Sequence, residues 1–134
     1  MSWPAKTNVP SEEVVRFKFF VDAAAAPTLA GSTVSGNPLN VDVASVSRVS
    51  QGLFRLTLKK PYCKHVETIA QLNVNAAGQQ RFAQPGPVAN EGTGTAMTVD
   101  ILVVDNAGAV QDPAAANANN FISGHVVLCN TMGV

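Results

Sequence analysis

Apolar side chains in this chain recur at every second position, in short runs broken by glycine, proline or asparagine. The clearest run sets Phe54, Leu56 and Leu58 against Arg55, Thr57 and Lys59. A period of two puts successive side chains on opposite faces of an extended strand, so each run buries one face and wets the other. No segment shows a sustained period near 3.6. The alanine run 23–26 could begin a helix, but Pro27 truncates it.

The same pattern extends along the chain. Val15, Phe17, Phe19 and Val21 share one side of 14–22, with Arg16, Lys18 and Asp22 on the other. Residues 23–40 read as a long connection holding a short extra strand near 32–35. Residues 41–49 and 53–59 form a hairpin through Ser50-Gln51-Gly52, where glycine supplies a positive φ. Over 66–74, Val66, Ala70, Leu72 and Val74 fall on one face. Residues 79–83 add a short strand before a Pro85-Gly86-Pro87 turn. Along 97–104, Met97, Val99, Ile101 and Val103 oppose Leu102 and Val104, so this strand asks for cover on both faces. Segment 105–120 reads as a long loop. The last strand, 121–130, places Ile122, Val126 and Leu128 together. Six to eight short strands without a helix predict an all-β fold, an antiparallel sandwich of jelly-roll-like type. The expected layout is an extended N-terminal arm over 1–13 and one β-sandwich domain over 14–134.

Composition narrows the function. The 134 residues, 13.9 kDa, suffice for one core. Charged residues are 13% of the chain, about half the usual share of roughly 25%. Nine basic and nine acidic residues cancel, which disfavours a protein that grips phosphate backbones through a positive field. Little self-repulsion then opposes association, so the composition leans towards a subunit of an assembly. No apolar stretch approaches a membrane span. The opening Met1-Ser2-Trp3-Pro4-Ala5-Lys6 lacks a secretory apolar core. Neither nucleic acid nor membrane is expected as a partner. Cys63 and Cys129 are too few for a disulfide scaffold and are expected to be reduced thiols.

No chemistry-bearing pattern outweighs a packing role. Cys63-x-His65 and His125-x-x-x-Cys129 supply zinc-type ligands. Residues four apart on a strand lie about 13 Å from each other, too far to share one ion. The alternative reading is a buried thiol in the last strand and a surface Cys-x-His turn. No serine sits in a nucleophile-elbow pattern. The carboxylates Asp22, Asp42, Asp100, Asp105, Asp112, Glu12, Glu13, Glu67 and Glu91 are scattered, and a sugar cleft would need aromatic platforms beside a pair of them. Gly92-Thr93-Gly94 has no following helix and reads as a turn, not a phosphate loop. The chain is therefore expected not to be an enzyme and to need no catalytic residue, cofactor or metal.

Two groups suit contact with a partner. Trp3, Pro4 and Pro10 lie in the proline-rich arm, where tryptophan offers a large contact area at modest entropic cost. Lys59, Lys60, Tyr62 and Lys64, with His65, form the densest basic cluster, fit either for solvent or for an acidic protein surface.

Several segments carry a resemblance. Arg16-Phe17-Lys18-Phe19-Phe20 comes first, then Val46-Ser47-Arg48-Val49-Ser50-Gln51-Gly52-Leu53-Phe54-Arg55-Leu56-Thr57-Leu58. The strand at 97–104 follows, and Asp112-Pro113-Ala114 leads to His125-Val126-Val127-Leu128-Cys129-Asn130. This layout, over residues 16–130, resembles small virion structural proteins of tailed bacteriophages. The segments at 84–96 and 105–120 depart from it. The resemblance implies a head decoration (cement) protein, made in the host cytoplasm and carried on the capsid surface. Its implied partners are the major capsid protein and copies of itself, for example in a trimer. A tail, tail-fibre or connector component fits the same resemblance. A carbohydrate-binding β-sandwich module and a zinc-dependent or hydrolytic enzyme are the competing classes.

Overall fold

The computed structural model describes residues 12–31, 39–74, 81–113 and 120–129. Alternation turns into strands where expected, and no helix occurs among the described residues. The elements are β1 (Glu12–Phe20), β2 (Thr28–Leu29), β3 (Val43–Ser50), β4 (Leu53–Leu58), β5 (Lys64–Asn73), β6 (Arg81–Ala89), β7 (Thr98–Asp105) and β8 (Phe121–Cys129). They form two antiparallel four-stranded sheets, ordered β2-β1-β8-β5 (sheet A) and β3-β4-β7-β6 (sheet B). Hairpins β1–β2, β3–β4 and β6–β7 stay within a sheet, and the remaining connections pass between sheets. The fold is a β-sandwich.

The core lies between the sheets. Val15, Phe17 and Phe19 of β1 and Ile122, Val126 and Leu128 of β8 face Phe54, Leu56 and Leu58 of β4 and Val99, Ile101 and Val103 of β7. All are buried. The Phe19 and Phe54 rings meet across the interface, centroids 5.8 Å apart, and Phe17 stacks on Phe19 at 6.2 Å. At roughly 25 cal/mol per Å² of apolar surface withdrawn from water, these side chains are the main favourable term in folding. The hairpin turn has Gly52 at φ +69°, the left-handed conformation the sequence required there.

Several boundaries differ from the sequence reading, each for a local reason. β1 begins at Glu12, so Glu12 and Glu13 belong to the sheet instead of the arm; residues 1–11 lie outside the described residues, as does the strand expected near 32–35. A short strand, β2, forms inside the expected connection by pairing Leu29 with Phe19. A bulge between His65 and Glu67 inserts Val66 as an extra residue. That reverses its side: Val66 is 52% exposed, while Thr68, Ala70 and Leu72 turn inward. Pro85-Gly86-Pro87 is a bulge inside β6 rather than a turn after it. The prolines have no N–H to donate, and an edge strand is where a sheet tolerates them.

The free edge of β1 is closed by a side chain. Asn40, at φ +57°, accepts the Lys18 N–H on its Oδ1 at 3.0 Å. Its Nδ2 donates to the carbonyls of Lys18 at 2.8 Å and Ala30 at 2.7 Å. Its main-chain N–H donates to Arg16 C=O at 2.9 Å. One asparagine thus satisfies the Lys18 N–H and the Arg16 carbonyl beyond the two-residue β2, and joins the Ala30 N–H at the Lys18 carbonyl.

Candidate functional site

The cysteine–histidine set does not converge. His65 pairs with Leu128 and turns towards the sandwich interior, whereas His125 pairs with Ile69 on the outer face of sheet A. The two imidazoles therefore sit on opposite sides of one sheet. His65 Nε2 lies 2.6 Å from Thr68 Oγ1, and the His65 main-chain N–H donates to Glu91 Oε2 at 3.0 Å. Burial holds the His65 imidazole below its ordinary pKa, against the opposing pull of Glu91 and Glu67. His125 Nε2 is 3.8 Å from Glu67 Oε1. The expected surface Cys-x-His turn is thus a strand start, with His65 half-buried in β5. Among the described residues no three His, Cys, Asp or Glu side chains lie together as metal ligands, and Cys63 and Cys129 are free thiols.

The basic cluster divides. Lys59, Lys60 and Lys64 are exposed. Lys60 Nζ pairs with Glu13 Oε1 at 2.9 Å, a bond that raises its pKa. Lys64 stands at the end of the outer row it shares with Cys129 and Glu12. Tyr62 corrects the sequence reading. It is 1% exposed and part of the core cluster, so it is not a contact residue. Its hydroxyl is buried without a hydrogen-bond partner, and burial raises its pKa far above that of a free phenol. Lys60 Nζ lies 5.6 Å from the Tyr62 ring centroid. Trp3, Pro4 and Pro10 are outside the described residues.

A strap not legible from alternation holds one end of the sandwich. Asp112 accepts from Arg48 Nε at 3.0 Å and Nη2 at 2.7 Å, and from the Gly52 N–H at 2.9 Å. Gln111 N–H donates to Val103 C=O at 2.9 Å. The strap crosses the β3–β4 turn so closely that a Cβ on Gly52 would lie 2.6 Å from Val110 Cγ1. Burial alone would push the Asp112 carboxyl upward. The hydrogen bonds from Arg48 and Gly52 outweigh it, and its pKa lies below the ordinary value.

The two outer faces differ in chemistry. On sheet A, register and alternation direct Glu12, Arg16, Lys18, Lys64 and Glu67 outward, together with His125 and with the exposed apolar residues Val14, Val66 and Ile69. Lys18 Nζ caps the Phe121 ring at 4.2 Å. On sheet B the outward rows are Ser45–Thr57–Thr98–Ala89, then Ser47–Arg55–Asp100, then Ser50–Leu53–Leu102–Gln84. A last row joins Phe82 to Val104 and, by a bridge, Val110. Arg55 and Asp100 are the charged residues of these rows, and they bond each other, Nε to Oδ1 at 2.8 Å and Nη2 to Oδ2 at 3.1 Å. Phe82 is 55% exposed and Val110 is exposed beside it. The strand expected to be covered on both faces is covered on one, because no further layer lies over Leu102 and Val104 among the described residues.

The sequence reading sought a site in charged and histidine-bearing segments and missed this face. Its signal was the outward pair Leu102 and Val104. Phe82 lies within the strand expected over 79–83, but that short segment gave it no face, and only its pairing with Val104 sets it on this one.

No protein-family model matches the chain, and no curated protein or solved structure matches it either.

Proposed function

We propose that the chain is a virion structural protein of a tailed bacteriophage, a head decoration (cement) protein that binds the major capsid protein and copies of itself. The observation that carries this reading is the outer face of sheet B, where apolar side chains lie exposed and the two charges neutralise each other. Contiguous exposed apolar surface on a soluble chain marks an interaction site. The resemblance of residues 16–130 to phage virion proteins supplies the class of partner. Its segments 16–20, 46–58, 97–104 and 125–129 are strands of the sandwich or the turn that joins them. Exposed Lys59 and Lys64 offer contacts to an acidic shell surface. Binding confined to the assembled shell would stabilise it by mass action, and several attachment points on one oligomer would multiply the effect. The protein would act on the capsid surface after synthesis in the host cytoplasm.

Copy number tests the reading. Quantitative mass spectrometry of purified particles should find this chain in numbers comparable to the capsid protein. A handful of copies per particle would instead assign it to a tail or connector. Its absence from the particles would overturn the proposal.

A further inference from the structure

We infer that the outer face of sheet B packs against the same face of a second copy of this chain, giving a two-fold dimer built as a stack of four sheets. The inference deepens the proposed function and rests on its self-association, not on its shell partner.

Three observations converge on this occupant. First, β7 has apolar residues on both sides, and the monomer covers one. Met97, Val99, Ile101 and Val103 are fully buried, while Leu102 and Val104 are only half-buried beside exposed Phe82 and Val110. Leu53 and Leu102 are paired neighbours, so two adjacent rows form one continuous apolar patch.

Second, the charge pattern favours self-pairing. Arg55 and Asp100 form a bidentate pair, with Asp100 only 5% exposed in its side chain. The rest of the face is serine, threonine, glutamine and aliphatic or aromatic residues. A two-fold contact sets identical patches against each other. A face with uncompensated charge would repel itself, whereas this one sets neutral rows against neutral rows. Depletion of free charge is also what distinguishes the centre of an interface from ordinary surface. Sheet A also exposes Val14, Val66 and Ile69, but it sets them among the outward charges of Arg16, Lys18, Lys64, Glu12 and Glu67, so a two-fold contact there would bring like charges together.

Third, the area allows a weak dimer. Four strands about 4.8 Å apart, each presenting about seven residues at 3.4 Å, give roughly 450 Å² of projected face per copy. The two faces together approach about 900 Å² before side-chain relief is added, short of the roughly 1,200 Å² of stable pairs, as in weak and transient contacts. Association should therefore be concentration-dependent. Flat faces stacked about a two-fold axis also exclude the trimer implied by the phage resemblance, since a third copy would find both faces occupied.

The test is the solution mass of the full chain over a concentration series, by light scattering and sedimentation velocity. The wild type should rise from one chain of 13.9 kDa to two. Phe82→Lys and Val110→Lys, both at exposed positions, should each weaken dimerisation by about tenfold or more, with an unchanged melting transition confirming the fold. Ile69→Lys, at a half-exposed position of sheet A, should leave dimerisation within about twofold, the scatter expected away from the contact. A wild type that stays monomeric at every concentration, a trimer, or a dimer broken by Ile69→Lys and not by the sheet B variants would overturn the inference. Pelleting with empty shells is read separately: shell binding by a monomer would sink this inference and leave the decoration role standing.

Discussion

Arg55 and Asp100 sit opposite each other on β4 and β7, and the guanidinium clamps the carboxylate through two hydrogen bonds of 2.8 and 3.1 Å. The carboxylate is the more enclosed partner because the β6 bulge lays Gly86 over it. A Cβ on Gly86 would come within 3.1 Å of Asp100 C=O and 3.2 Å of its Cβ. The pair neutralises the middle of a face whose remaining rows are apolar or hydroxyl-bearing.

An enclosed carboxylate that loses its cation is left uncompensated, and breaking such pairs costs about 3–5 kcal/mol when both partners are buried. Arg55 is partly solvated, so screening reduces this. Arg55→Met should therefore destabilise the sandwich by about 2 kcal/mol in urea unfolding, while Arg55→Met combined with Asp100→Leu should recover most of the loss. A double variant as unstable as the single one would mean that the pair's charge is not what matters.

Gly124 is expected to be the least tolerant position of β8. A Cβ there would collide with the carbonyl oxygen of Ile69 and lie 2.8 Å from its carbon and 3.0 Å from Ala70 Cα. These are main-chain atoms of the paired strand, so no side chain can rotate away. Gly124→Ala should cost about 2–3 kcal/mol, the range for overpacking in a well-packed site, measured as a lowered urea midpoint. Gly31→Ala, which meets nothing within 4 Å, is the control and should be nearly neutral.

Removing the Asn40 side chain would strand the Lys18 N–H that its Oδ1 accepts and take a donor from two carbonyls. It would also place alanine at φ +57°, a conformation asparagine tolerates better. Asn40→Ala should cost about 2 kcal/mol and speed amide exchange at Lys18 more than at Phe54. Uniform exchange across both strands would contradict the edge-closing role.

Much of this architecture was legible in the sequence, and the exceptions share a cause. Alternation marked Val15, Phe17, Phe19, Phe54, Leu56, Leu58, Ile122, Val126 and Leu128 as inward, and all are buried. Gly52 gave the hairpin. Alternation fails where a strand gains a residue: the bulges at Val66 and at Gly86-Pro87 shift the period by one, and only pairing with a neighbour reveals them. Tyr62 looked exposed because lysines surround it in sequence, yet its ring turns into the core beneath Lys60. The Arg48–Asp112 clamp joins residues 64 positions apart, a separation that no local pattern encodes. The outer face of sheet B was half legible, since Leu102 and Val104 showed a side, whereas the side of Phe82 in the short strand 79–83 is set only by its pairing with Val104.

Acid should loosen the strap. Asp112 has a folded pKa below its unfolded value of 3.8, so it binds protons more readily in the unfolded chain. Its stabilising contribution is complete above about pH 4 and is lost as pH falls through the depressed folded value. Asp112→Asn should remove this portion of the acid dependence, measured by urea unfolding between pH 5 and 2. An unchanged acid profile in Asp112→Asn would count against the clamp.

His65 should act in the same direction at higher pH. Its folded pKa lies below 6.5, so protonation favours the unfolded chain. Stability is full above about pH 6.5 and declines as pH falls through the lowered folded value. His65→Gln should flatten this stretch of the profile, and His125→Gln gives the comparison. NMR titration of the His65 imidazole checks the direction, with its proton expected to be taken up below the ordinary imidazole value of 6.5.

The proposed decoration role is tested most directly by co-sedimentation of the purified full chain with empty phage heads, together with the heat resistance of those heads. Saturable binding at a fixed ratio to the capsid protein, with heads that rupture at a higher temperature once coated, is the expected result. A chain that stays in the supernatant and leaves rupture unchanged would contradict the adhesive role assigned to this sandwich.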